Sequence, residues 1–262
     1  MCLLVLAWRC HPRYRLVIAA NRDEYHARPA AALGPWNDAA GIVAGRDLTA
    51  GGAWLGIDQK RRVGVVTNFR EFGRRRRSAP SRGGLIPAYL TGSATARDYL
   101  RALETDAPGY AGFNLLLTDR DSLWYASNRA DLFARELSPG IYGLSNEFLD
   151  TPWPKLVRVR RRFEAALADS RFVDHQALAA ELFAMLADRE TVSPETLPAS
   201  ELSPEWARKL SAPFVLDPVY GTRCSTVLTL FDDNALDISE RRFDARGIAA
   251  GESEYALNAA IT

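Results

Sequence analysis

The fold is decided by MCLLVLAWRC, residues 1–10, together with the apolar run that ends in AANRDEY, residues 19–25. Apolar residues fill Leu3–Trp8 and Leu16–Ala20, and His11–Arg13 between them has the composition of a turn. Runs that are apolar at successive positions predict strands buried on both faces. The sequence therefore predicts a hairpin inside a layered structure, and the second strand of this hairpin ends in a group of charged residues.

Composition limits the classes of protein that this chain can be. It has 262 residues with a formal net charge of +1, and 47% of its residues are hydrophobic, so disorder, a fibrous repeat and a strongly basic nucleic-acid binder are disfavoured. The N-terminal apolar run is short, follows no basic stretch and is stopped by Arg9, which favours a strand over a signal peptide or membrane span. We expect a cytoplasmic protein with no membrane span and no nucleic-acid partner, and the sequence does not predict its oligomeric state.

The remaining pattern alternates between sheet and helix. A loop is expected at Ala30–Asp38. Short strands are predicted at Gly41–Gly45, Ala53–Asp58, Val63–Phe69, Phe113–Thr118, Leu123–Ser127, Leu132–Leu137 and Gly140–Leu144. Helical spacing of apolar residues covers Ser81–Leu90, Ala94–Leu103, Pro154–Ala168 and Asp174–Ala187. A loop with a short helix at Ser193–Ser211 precedes a last hairpin of Thr222–Phe231 and Ala235–Phe243. This order predicts an α+β protein with sheets covered by helices, and the absence of a repeat or linker predicts one domain over residues 1–262.

Cys2 is the first candidate for chemistry. A small side chain at position two permits removal of Met1, and a free α-amine would then share a residue with a thiol. The amine titrates near ~8 and the thiol near ~8.5, so the amine can act as base for its own nucleophile without a histidine. The alternative is that Cys2 is a small buried residue at the start of a strand. The other cysteines, Cys10 and Cys224, show no spacing typical of a disulfide framework or a metal site.

Several polar stretches, taken together, carry a resemblance to a known family. They are NRDEY at residues 21–25, AGGAWLGI at 50–57, VVTNFREFG at 65–73, YGLSNEF at 142–148 and YGTRCSTV at 220–227. With the initial Met-Cys, this combination resembles the NRDE family, also named for transport and Golgi organisation protein 2. The resemblance implies a four-layer αββα sandwich of the N-terminal nucleophile hydrolase type. It also implies a similarity to the choloylglycine hydrolase and penicillin V acylase group.

The resemblance assigns roles to particular side chains. Cys2 would be the nucleophile, Asp23 would orient its α-amine, and Arg22 would lower the pKa of its thiol. Neighbours on a strand face opposite ways, so Arg22 and Asp23 both reach Cys2 only if the chain bends there. Asn68 and Asn146 would stabilise the negative oxygen of an acyl intermediate. The alternatives are a solvated strand end for NRDE and ordinary turn residues for the two asparagines.

Further residues are expected around this site or in the core. Arg223 lies within a predicted strand, so it should be paired or line the site. Cys224 should face the opposite way into the core. Cys10 shares the parity of Leu4, Leu6 and Trp8 and is likewise expected in the core. Three aromatic residues could form an apolar substrate wall or belong to the core: Trp36, Trp54 and Phe69. The run Arg74–Arg77 is interpreted as a solvated loop, with anion binding as the alternative.

These features favour an amidohydrolase that cleaves a non-peptide C–N bond of a small-molecule amide through a Cys2 acyl-enzyme. That reaction needs no cofactor and no metal. The alternative is a non-enzymatic protein that binds or carries an amphipathic small molecule, for which the resemblance implies haem or a ligand of lipid and acyl-CoA metabolism. Haem would need the thiol of Cys2 or one of three histidines, His11, His26 or His175, as axial ligand. A structural or scaffold role is the third hypothesis.

Overall fold

The computed structural model describes residues 2–71, 79–172, 174–197 and 202–259. The strands, in chain order, are β1 (Cys2–Trp8), β2 (Tyr14–Tyr25), β3 (Ala30–Pro35), β4 (Ile42–Asp47), β5 (Leu55–Asp58), β6 (Val63–Asn68), β7 (Phe113–Thr118), β8 (Leu123–Ser127), β9 (Ala134–Glu136), β10 (Gly140–Leu144), β11 (Tyr220–Phe231), β12 (Leu236–Phe243) and β13 (Ala249–Leu257). The helices are α1 (Leu85–Thr91), α2 (Ala96–Glu104), α3 (Pro154–Ala168), α4 (His175–Leu186) and α5 (Pro204–Lys209).

The chain divides into two compact units. The first comprises residues 1–27, 139–145 and 149–262, and the second comprises residues 28–138 and 146–148. The chain therefore leaves the first unit, builds most of the second, and returns. A single domain over residues 1–262 stays a prediction.

The first unit is built on a six-stranded antiparallel sheet in the order β10-β1-β2-β11-β12-β13. One face of this sheet packs against α3 and α4, where Val5 and Ala19 meet Phe163 and Leu182. Each large apolar side chain buried in this way contributes roughly 1.5–3 kcal/mol. We call this the helix side of the sheet, and the residues of β1 on it are Leu3, Val5 and Ala7.

Local sequence explains how α3 lies so close to the sheet. Pro154 occupies the first turn of α3, where its fixed φ suits a helix and no backbone donor is lost. On β10, a Cβ at Gly143 would lie 2.8 Å from a methyl carbon of Leu156. Glycine at this position therefore permits the close approach of α3 to the strand.

The second unit is a seven-stranded antiparallel meander in which β3 to β9 follow one another in chain order. Helices α1 and α2 cover one face, and Ile86 and Leu100 pack there with Leu115 and Leu117 of β7. Each unit thus consists of one sheet layer and one helix layer. The α+β class is confirmed, and the two sheets with their helices are the layers that an αββα sandwich requires.

Two strands differ from the sequence-based prediction. The expected loop at Ala30–Asp38 contains β3, a strand whose first residues are exposed. Strand β13 is not among the predicted elements, because its residues alternate between exposed and half-buried positions and carry few large apolar side chains. Both are edge strands of their sheets, where a strong apolar pattern is not required.

The prediction for Cys10 is wrong, whereas that for Cys224 is confirmed. Strand β1 ends at Trp8 and Arg9 has φ of 46°, so the alternation of faces stops before Cys10. Cys10 is exposed and Cys224 is buried.

The helices are short. The longest in the described ranges is α3 with 15 residues. Within the parts of the chain that the structure describes, no helix is long and apolar enough to span a bilayer. The arginine run Arg74–Arg77 lies outside the described residues.

Candidate active site

Cys2 lies at the first position of β1, directly opposite Arg22 on β2. Arg22 is paired in turn with Cys224 on β11. Cross-strand partners project from the same face of a sheet, so Arg22 stands between two thiol side chains on the face away from α3 and α4. Cys2 is 8% exposed and Arg22 is 9% exposed. The predicted proximity of Arg22 to Cys2 thus follows directly from the strand register.

Asn21 and Asp23 project from the other face, the helix side. Asn21 is opposite Leu3, and its Nδ2 donates to the carbonyls of Leu186 and Pro213, both at 2.9 Å. Its Oδ1 accepts a hydrogen bond of 2.6 Å from Ser225 Oγ. Asn21 is fully buried and ties β2 to β11 and to the end of α4. This residue of the NRDE stretch is therefore structural.

Asp23 is held by hydrogen bonds at the end of the same sheet. Thr222 Oγ1 donates to Asp23 Oδ1 at 2.7 Å, and Tyr220 Oη donates to the Asp23 carbonyl at 3.0 Å. The backbone N–H of Asp23 donates to the thiol of Cys2. Asp23 is 3% exposed.

Strand β2 continues without a break through Arg22 and Asp23 to Tyr25. The thiol is a side-chain group and needs Arg22 on its own face. The α-amine that Met1 removal would release is a backbone group, which a side chain on either face can approach. Arg22 and Asp23 can therefore serve Cys2 from opposite faces, and the bend that alternation seemed to require is unnecessary.

Burial is the largest influence on the pKa values of Cys2 and Asp23. It raises the pKa of the Cys2 thiol, as does the Asp23 carboxylate, while Arg22 lowers it. Burial also raises the pKa of Asp23, against Lys155, the Thr222 hydrogen bond and Arg22, which lower it. The influence of Arg22 has the predicted sign, yet burial outweighs it. A thiolate at Cys2 therefore requires a base.

Lys155 is a functional candidate that the sequence reasoning missed. It lies in the first turn of α3, is 3% exposed, and donates from Nζ to the Leu210 carbonyl at 2.9 Å. A signal was present in the sequence, because Lys155 has the same four-residue spacing as Val159 and Phe163 on the apolar stripe of α3. A lysine on such a stripe indicates a buried cation with a specific partner.

Arg223 occupies a β-bulge of β11 between Thr222 and Cys224. Its guanidinium donates to the Tyr25 carbonyl at 2.8 Å. Burial lowers the pKa of Arg223, and the positive charge of Arg22 lowers it further. The two arginines predicted for the site are therefore close enough to interact electrostatically.

Asn68 and Asn146 belong to the second unit and lie together there. Asn146 Nδ2 donates to the Asn68 carbonyl at 2.7 Å, and the Asn146 carbonyl accepts from the Arg70 amide at 2.7 Å. Asn146 has φ of 58°, a left-handed conformation that asparagine tolerates better than most residues. Asn146 is buried, whereas Asn68 at the end of β6 is exposed. The amide of Asn146 is thus fixed in orientation.

The three predicted wall aromatics have different surroundings. Phe69 follows Asn68 and makes an edge-on ring contact with Phe148 at 4.9 Å. Trp36 packs against the apolar cluster beneath α1 and α2, which supports the core alternative for this residue. Trp54 is half-buried just before β5. Of the three wall candidates, Phe69 is the one that adjoins Asn68 in the chain.

The potential metal and haem ligands have the following surroundings. Across the described ranges, no group of three or more His, Cys, Asp and Glu side chains is placed to hold a metal ion. Both ring nitrogens of His175 lie within 2.9 Å of hydroxyls, those of Thr229 and Ser239. His26 Nε2 lies 3.0 Å from the Asp217 carbonyl. These contacts do not favour His175 or His26 as axial ligands.

Comparison with known proteins places the chain in a family. Residues 1–245 match the family model described as Transport and Golgi organisation 2. The chain is 35% identical over 258 residues to the Transport and Golgi organization protein 2 homolog of Bos taurus, with 92% of each protein covered. It is 31% identical over 256 residues to the homolog of Homo sapiens, again with 92% of each covered.

A search of solved structures finds a more distant likeness. The chain is similar to the Caenorhabditis elegans N-acylethanolamine-hydrolyzing acid amidase (NAAA) ortholog, with a TM-score of 0.47, 11% identity, and 87% of this chain and 92% of that one covered. Because the family match extends over most of the sequence, the chain belongs to the Transport and Golgi organisation 2 family.

Proposed function

We propose that this protein is an amidohydrolase that cleaves a C–N bond of a small, non-peptide amide through an acyl-enzyme on Cys2. One observation carries the proposal: two consecutive residues of β2 contact Cys2. Arg22 lies opposite it on the same face of the sheet, and the backbone N–H of Asp23 donates to its thiol. A cysteine that merely fills the core does not need two charged, buried neighbours. The resemblance to N-terminal nucleophile hydrolases supports the same chemistry.

The proposed reaction begins with the removal of Met1, which leaves a free α-amine on Cys2. This amine accepts the thiol proton, and the sulfur attacks the amide carbonyl to form a C–S bond. The resulting ammonium returns the proton to the leaving nitrogen as the C–N bond breaks. Water then hydrolyses the thioester and regenerates the thiol. The raised pKa of the buried thiol is why this scheme needs a base.

In this scheme Asp23 orients the amine and Arg22 stabilises the thiolate. Asn68 and Asn146 keep the predicted oxyanion role. The fixed amide of Asn146 supports that role, because an oxyanion donor acts by being oriented before the charge develops. The reaction requires no cofactor, and a cytoplasmic location stays a prediction.

The first test is the intact mass of the purified protein. Complete retention of Met1 would exclude the amine as base.

The second test is acylation by a β-lactam electrophile, followed by mass spectrometry. Because Cys10 is exposed and would react non-specifically, the parent protein for this test is the Cys10→Ala variant. We expect a covalent adduct on this parent and no adduct after the further change Cys2→Ala. Equal labelling of both would contradict the proposal.

The oxyanion role has its own test in the same assay. Asn146→Ala should lower the acylation rate by a factor of roughly 10² to 10³, the effect of losing one oxyanion donor. Asn37→Ala is the matched control, since Asn37 is an exposed loop residue of the same unit and should leave the rate unchanged. An unchanged rate in Asn146→Ala would remove Asn146 from the mechanism.

The alternative of haem or lipid-related ligand binding has no specific observation in its favour. A haem titration of the purified protein checks it directly. A Soret band that shifts on binding and is lost in Cys2→Ala would replace the hydrolase proposal with thiolate ligation of haem.

A further inference from the structure

The partner of Asp23 is set by the bulge in β11. On one side of the bulge Cys224 is opposite Arg22, and on the other side Thr222 is opposite Asp23. Arg223 is the extra residue between them. In a regular ladder, the residue opposite Asp23 would be Arg223, because it precedes Cys224 just as Asp23 follows Arg22. The bulge therefore replaces a guanidinium with a hydroxyl as the cross-strand neighbour of Asp23.

This replacement changes what the carboxylate can do. A guanidinium opposite Asp23 would form a charge-assisted pair and occupy the carboxylate with two donors. A hydroxyl donates one neutral hydrogen bond and adds no counter-charge, so the charge of the carboxylate is balanced by other cations, among them Lys155 and Arg22. The new α-amine of Cys2 would be such a cation when protonated.

Thr222 is itself fixed on the helix side of the sheet. Its Oγ1 accepts a hydrogen bond from the Val215 amide at 2.9 Å, and its own amide donates to the Val215 carbonyl at 2.9 Å. The Val215 amide can only donate, so the hydroxyl proton of Thr222 is directed to Asp23 Oδ1 at 2.7 Å. Thr222 is 1% exposed, so water does not compete for these bonds.

We propose that Thr222 is a positioning residue that holds the Asp23 carboxylate, in its charged form, toward the α-amine of processed Cys2. The proposal rests on the proposed function, because it assigns Thr222 a role in the same reaction. Thr222 acts through Asp23. Its hydroxyl stabilises the carboxylate that orients the base.

The test compares two substitutions on the Cys10→Ala parent. Thr222→Val keeps the shape of the side chain and removes the hydroxyl, whereas Thr222→Ser keeps the hydroxyl. The measurement is the rate of Cys2 acylation as a function of pH, with the β-lactam probe. We expect Thr222→Val to lower the rate roughly 10- to 100-fold, the range for a lost hydrogen bond to a charged group. We also expect the acid limb of its pH–rate profile, where the rate falls at low pH, to move to higher pH, because the Asp23 carboxylate loses the hydroxyl that donates to it.

The serine variant should keep the acid limb where the parent has it. Tyr220→Phe is a second control, since Tyr220 bonds the carbonyl of Asp23 rather than its carboxylate, and it should not move the limb either. A purely structural role for Thr222 would reduce the yield of folded protein without moving the limb. If the valine variant does not fold, Thr222→Ala takes its place with the same expectation.

The outcomes separate this inference from the proposed function. If the Cys10→Ala parent keeps Met1 or is not acylated at Cys2, both are overturned. If the parent is acylated and the valine and parent profiles coincide, the role of Thr222 is overturned and the amidohydrolase proposal stands. A serine variant that shifts as far as the valine variant would also overturn the role of the hydroxyl.

Discussion

Two of the aspartates that are buried in the described part of the chain, Asp58 in the second unit and Asp23 in the first, have partners of different kinds. Asp58 is 4% exposed, and its Oδ2 accepts a hydrogen bond of 2.6 Å from Arg62 Nε. Its Oδ1 accepts from the amides of Lys60 and Arg62, both at 2.9 Å. Asp23 has a similar burial, and its carboxylate accepts a hydrogen bond from the neutral hydroxyl of Thr222.

The partner of Asp58 is equally well satisfied. Arg62 donates to the carbonyls of Leu90 and Gly92 at 2.7 and 2.8 Å and lies over the Tyr89 ring at 4.8 Å. The charge on Asp58 is therefore matched by Arg62 in the same turn, and Arg62 is held by carbonyls at the end of α1. The comparison teaches that burial alone does not mark a functional acid. A buried carboxylate that accepts a hydrogen bond directly from a guanidinium is structural, whereas one that accepts from a hydroxyl, and whose pKa burial raises, is suited to chemistry.

The largest expected effect comes from breaking the matched pair. Asp58→Asn should lower the free energy of unfolding by about 3–5 kcal/mol, because Arg62 would remain buried without a counter-charge. Chemical denaturation measures this loss. Asp38→Asn is the control, since Asp38 pairs with Arg46 on an exposed surface and should matter far less. A midpoint unchanged from the parent would show that Asp58 and Arg62 are not a structural pair.

Asp23→Asn should lower activity rather than stability, the opposite of Asp58→Asn. We expect the acylation rate of Cys2 to fall about 10²-fold, the low end of what general acid–base catalysis contributes, because a neutral amide carries no charge to stabilise the ammonium form of the α-amine, which is the base. Stability near neutral pH should not fall, since the change removes a buried charge. The rate is measured with the β-lactam probe and the stability by denaturation. A large loss of stability with an unchanged acylation rate would show that Asp23 is a structural acid like Asp58.

The sequence predicted the parts of this contrast that depend on local pattern. Apolar runs predicted β1 and β2. The family resemblance implied that Arg22 lies near Cys2, and the register of the hairpin brings the two residues opposite each other. The apolar stripe of α3 predicted this helix with the bounds that it has, Pro154 and Ala168. These features follow from side-chain periodicity and from short connections, both of which a single sequence carries.

The rest depends on contacts between distant segments. The bulge at Arg223 shifts the register by one residue, and no local propensity marks it, so Thr222 was not predicted to face Asp23. Lys155 was missed because its partner, the Leu210 carbonyl, lies 55 residues away. The exposure of Cys10 depends on the strand ending at Trp8, and alternation alone cannot locate such an end.

The smallest effect tests the comparison through the pH dependence of stability. Burial raises the pKa of Asp23, so between the pKa of an unfolded aspartate, about 3.9, and the raised value, the native state binds more protons than the unfolded state. The free energy of unfolding contributed by Asp23 therefore falls as pH rises through that window, and the loss persists above it.

Asp23→Asn lacks this contribution. The stability of the parent minus that of Asp23→Asn should decrease from acid to neutral pH and then become constant, as measured by urea denaturation at several pH values. The subtraction removes the titration of the other carboxylates, which both proteins share. If the difference instead increases with pH, the folded protein stabilises Asp23 as a carboxylate. Asp23 would then be a matched structural acid like Asp58, and the distinction between the two sites would fail.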